Sequence, residues 1–76
     1  MELNDFLKKF ASVFEETPIE KFSGDTKYME MEEWGSLVAL SVIAMVDDEY
    51  EVELQGDDIR NSNTINDLFE IIKSRL

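Results

Sequence analysis

The chain reads as an all-α bundle of three main helices and one short helix, with a long loop between the first and second. Three observations predict this. Apolar residues recur at three- and four-residue spacing in three separate stretches, no stretch alternates apolar and polar residues long enough to seed a strand, and 76 residues allow one domain with one modest core. No repeat, low-complexity tract or linker divides residues 1–76.

Over residues 2–16, Leu3, Phe6, Leu7, Phe10, Val13 and Phe14 share one face, so a first amphipathic helix is expected there. Glu15 and Glu16 oppose the dipole at its end. Thr17-Pro18-Ile19-Glu20 then reads as a one-turn start capped by Thr17, running to Phe22. Ser23-Gly24-Asp25-Thr26 breaks that turn, and residues up to Trp34 form a loop pinned by Tyr28, Met29, Met31 and Trp34.

A central helix is predicted over residues 36–51, because neither Pro nor Gly interrupts the chain between Gly35 and Gly56. At about 100° per residue, Ala39, Val42, Ile43, Val46 and Tyr50 form the core stripe. Asp47 and Asp48 mark the wet side, with Leu37, Leu40, Ser41 and Ala44 ahead of them and Ser36 at the tip. Apolar groups on a solvent face beside a terminal serine point to a contact surface.

Val52 and Leu54 anchor a connection that Gly56 ends, and residues 57–60 form a single turn holding Ile59 inward. Thr64, with Asp67 three residues on, opens a last helix whose inner face is Ile65, Leu68, Phe69, Ile72 and Leu76. Lys73 and Arg75 suit its C-terminal dipole. The expected core is Phe6, Phe10, Phe14, Val42, Ile43, Val46, Leu68, Phe69 and Ile72.

The chain has no Cys and no His, which removes disulfides, thiolate nucleophiles, imidazole bases and the usual transition-metal ligands. Protein-borne catalysis is therefore not expected. The acid clusters lack the spacing of a calcium loop, so no metal is expected either. A net charge of −11 disfavours nucleic acid and anionic membranes and favours basic protein patches. The start has no signal-peptide pattern and residues 37–46 are too short to cross a bilayer, so a cytoplasmic monomer is the expectation.

Trp34-Gly35-Ser36-Leu37, Tyr28 ahead of the serine, Asp47-Asp48-Glu49-Tyr50 closing the helix and Val52-Glu53-Leu54 after it resemble the acyl carrier protein family over nearly the whole chain. The family motif is Asp-Ser-Leu, and its serine carries 4′-phosphopantetheine, delivered from coenzyme A with Mg²⁺ by a phosphopantetheinyl transferase. By position, that serine is Ser36. The resemblance implies a carrier of acyl thioesters for fatty acid, polyketide or related pathways, with peptidyl or aminoacyl carriage as a variant. Catalysis then belongs to partner enzymes with basic docking patches, which meet Leu37, Leu40, Ser41, Ala44, Asp47, Asp48, Glu33 and Gly35.

Two departures from the family pattern stand out. Gly35 replaces the usual Asp, and Val38 and Ser41 stand where acids are common, which shifts the charge to Glu30, Glu32 and Glu33 and to Asp47, Asp48 and Glu49. Plainer readings accompany the sharper ones: Ser36 as a helix cap, Trp34 as a loop anchor, and the acids as a solvated surface. The rival class is an unmodified acidic interaction module; an acidic nucleic-acid mimic explains the charge but not the setting of Ser36.

Overall fold

The computed structural model describes residues 2–76. Four helices follow in order: α1 (Leu3–Ser12), α2 (Ser36–Tyr50), α3 (Gly56–Asn61) and α4 (Ile65–Ser74), with 3₁₀ turns at Ile19–Lys21 and Tyr28–Glu30 in the loop between α1 and α2. α1 packs against both α2 and α4, and α3 lies on α4. The all-helical bundle is thus the one its apolar periodicities predict.

Aromatic side chains build the centre. Phe6 meets Phe10 and Phe69 at ring separations of 5.9 and 5.7 Å, and Phe10 meets the edge of Tyr28 at 5.7 Å. Phe14 and Phe22 approach to 4.9 Å, which closes the end of the core nearest the loop. Such contacts add about 0.5–1.5 kcal/mol each beyond area burial. Val42, Val46, Leu68, Phe69 and Ile72 complete the interior as expected, whereas Ile43 is only half-buried.

Several boundaries differ from the sequence reading. α1 stops at Ser12 rather than running to residue 16, because the amides of Glu15 and Glu16 donate to the Glu33 carboxylate at 2.8 and 3.2 Å instead of continuing the helix ladder. Phe14 still turns inward, its N–H closing a tight turn on Ala11 C=O at 3.0 Å. Thr17 does not cap the next turn: its hydroxyl donates to Glu33 at 2.7 Å, and Pro18 takes the cap position. Gly56 starts α3 instead of ending a connection, and Asp58 accepts from the Gln55 N–H at 2.8 Å to secure that start. Leu76, expected on the inner face, is 63 % exposed because α4 ends at Ser74.

The long loop is docked along the bundle rather than slack. Its carbonyls at Thr26 and Gly24 accept from the first two amides of α4, Ile65 and Asn66, at 3.0 and 2.9 Å, while Thr64 Oγ1 takes the third, Asp67, at 3.2 Å. The orphan donors of that helix start are therefore satisfied by the loop and the cap together. A side chain on Gly24 would approach Leu3 to 3.3 Å, so the loop passes close over the start of α1. Glu51 ends α2 in the left-handed region at φ 56°, and Val52 and Leu54 then alternate inward with Glu53 and Gln55 outward.

Within α2, Val46 is fully buried while Leu40 is 62 % exposed. Val46→Ala should cost about 1–3 kcal/mol by urea denaturation and Leu40→Ala close to nothing. The opposite order would contradict the helical phase.

Candidate functional site

The segment leading to α2 is tethered on two sides. Glu33 bridges back to the exit of α1, and Trp34 packs edge-on against Tyr28 at 4.9 Å, with Phe14 at 6.3 Å. Gly35 then occupies the cap position in extended backbone, and its carbonyl accepts from Ala39 N–H at 2.9 Å. Ser36 is the first helical residue. The cap reading of Ser36 is thereby corrected: the position belongs to Gly35, which has no side chain to cap with.

The start of α2 is electrostatically bare. No side chain caps it and no acid stands in its first turn, so its positive dipole end faces solvent beside an exposed serine. Among the described residues, the Ser36 hydroxyl has no hydrogen-bond partner. Nothing lies within 4 Å of a Cβ built on Gly35, so neither space nor backbone conformation demands glycine there.

Along the outer face, Leu37 is 78 % exposed and Leu40 and Ala44 follow it, with Asp47 and Asp48 beyond. Leu37, Leu40, Ala44, Asp47 and Asp48 are thus all exposed and all carried by α2. Ser41 is half-buried and donates to Leu37 C=O at 3.0 Å, which commits its proton to the helix itself. Glu49 is held by Lys9 at 3.3 Å, and Lys9 also lies over the Tyr50 ring at 4.8 Å. Glu33, expected on this face, turns away from it to the amides of residues 15 and 16.

Beside Ser36 opens a groove of about 520 Å³ between α2 and α3, with apolar walls from Met29, Trp34, Ala39, Ile43 and Ile59. Periodicity did not reveal it, because its walls come from the loop and two helices far apart in sequence. The half-buried state of Ala39 and Ile43, which looked like pure core, is its signature in the fold. Among the described residues there is no group of three or more acidic side chains placed to hold a metal, and no helix long and apolar enough to cross a membrane. Comparison of the chain with family models, with curated proteins and with solved structures returns no match.

Three carboxylates are held below the usual range by donors. Glu33 is lowered first by the Thr17 hydroxyl, Asp58 by the Arg75 guanidinium, and Asp67 by the Thr64 and Asn63 amides. A carboxylate whose folded pKa lies below its unfolded value contributes stability above the unfolded value and loses it as pH falls through the folded one. The urea midpoint of the wild type should therefore drop as pH falls below about 4. A combined Glu33→Gln, Asp58→Asn, Asp67→Asn chain should start lower at neutral pH and show a much shallower acid limb; equal acid limbs would remove these contacts from the account.

Proposed function

We propose that the chain is a carrier protein of the acyl carrier type, modified on Ser36 with 4′-phosphopantetheine and serving enzymes that build or transfer acyl groups. One observation carries the reading: an exposed serine hydroxyl sits at the bare N-terminus of the longest helix, on the rim of an apolar groove. The residues present fit such a group. Uncapped amides in the first turn of α2 accommodate a phosphodiester on Ser36, and the exposure of Gly35 and Ser36 leaves that hydroxyl open to an enzyme.

When attached, the arm supplies the thiol that this Cys-free chain lacks, and cargo is held on it as a thioester. The chain's own part is presentation. α2 holds Ser36 outward, the groove shelters an apolar chain from water, and the exposed Leu37, Leu40 and Ala44 form a contact patch. Asp47 and Asp48 at one end, with Glu30 and Glu32 at the other, steer basic docking surfaces toward it. Glu33 is excluded from that role by its internal bonds. In this reading the protein is a cytoplasmic monomer without catalytic residues or a metal, and its partners are a phosphopantetheinyl transferase and acyl-handling enzymes.

Incubation with coenzyme A, Mg²⁺ and a broad-specificity transferase should add the mass of one phosphopantetheine to the wild type and nothing to Ser36→Ala. No gain with either that enzyme or one from the source organism would move the assignment to an unmodified module that binds basic partners through the same face. Gly35→Asp restores a side-chain cap in open space and should raise the modification rate several-fold without loss of stability. An unchanged rate would mean that the transferase does not read this position.

A further inference from the structure

The chain carries 18 acidic against 7 basic residues, yet among the described residues no carboxylate lines the groove beside Ser36, and one guanidinium does. That cation is Arg60, on α3. Its side chain lies close over Gly56, where a Cβ would come to 3.0 Å from Nη1, which sets the guanidinium at the groove wall. Its present partner is Asp57, and the two side chains are 69 % and 79 % exposed. An ion pair in so much water holds weakly, and another oxyanion can replace Asp57 at little cost.

The other paired cations are committed elsewhere: Lys9 to Glu49, Lys73 to Glu70, and Arg75 to Asp58 through both nitrogens at 2.8 Å. The groove thus combines an apolar bed with a single fork of N–H donors at its edge. A guanidinium receives a carboxylate through two parallel hydrogen bonds, a geometry that neutral head groups do not share.

We propose that this groove binds free amphiphilic carboxylates, with the alkyl chain against Met29, Ala39, Ile43 and Ile59 and the oxyanion on Arg60. Binding needs no group on Ser36. It therefore stands apart from the carrier reading and is tested on a chain that cannot be modified.

Trp34, the one tryptophan of the chain, lines the groove and reports its occupancy. Ser36→Ala protein is titrated at neutral pH with decanoate and with decanol, both below micelle-forming concentrations, while Trp34 emission is followed. The net charge of −11 by itself predicts weaker binding of the anion. A local guanidinium reverses that order, and because it is as exposed to water for decanoate as for Asp57, decanoate should bind a few-fold tighter than decanol.

Adding Arg60→Gln should abolish the preference, Arg60→Lys should retain part of it, and Asp57→Asn should tighten decanoate a few-fold by removing the competing carboxylate. Equal affinities in the parent chain, a preference that survives Arg60→Gln, or no response of Trp34 to either ligand would each overturn the proposal. Failure here leaves the modification of Ser36 untouched, and failure of modification leaves this titration unaffected.

Discussion

The phenol of Tyr28 is fully buried among Phe10, Trp34 and the loop, and its hydroxyl donates to the Ile59 carbonyl at 2.7 Å with the Ser62 carbonyl at 3.2 Å. Burial pushes its pKa up to about 12, so the donor stays neutral and in place across the physiological range. That one side chain joins three parts of the molecule. Its ring packs the loop on α1, its hydroxyl secures the C-terminal half of α3, and its edge contact with Trp34 fixes the approach to Ser36. Leaving the two carbonyls without their donor costs on the order of 1–3 kcal/mol, a sizeable share of the 5–15 kcal/mol typical of a small domain.

The groove depends on the same contact. α3 has six residues, too few to persist on its own, and it is held by Tyr28 from the loop side and by the Asp58–Arg75 fork from α4. Its inward residue Ile59 packs into the core, while the next residue, Arg60, reaches the groove wall. The space beside Ser36 is consequently set by what holds α3 in place, not by α2 alone.

A chain with a net charge of −11 must place its carboxylates with some economy. Glu33, Asp58 and Asp67 accept from backbone amides or Arg75 and stitch loops and helix starts together. Asp47, Asp48, Glu30 and Glu32 remain at the surface around the exposed leucines of α2. These three acids therefore serve the fold, while those four face solvent.

Much of the architecture was legible from the sequence, because helices declare themselves by local periodicity. The apolar faces of α1, α2 and α4, the Thr64–Asp67 cap, the inward Ile59 and the outward Leu37 and Leu40 all follow from spacing along the chain. The exposed position of Ser36 at the start of α2 was legible too. What tertiary structure decided were the features made by residues distant in sequence: the early end of α1 on Glu33, the loop carbonyls closing α4, the Arg75–Asp58 fork and the groove with Arg60 on its wall. Each is a long-range meeting of a donor with an acceptor, or of a cation with open space, and one-dimensional periodicity carries no record of such meetings.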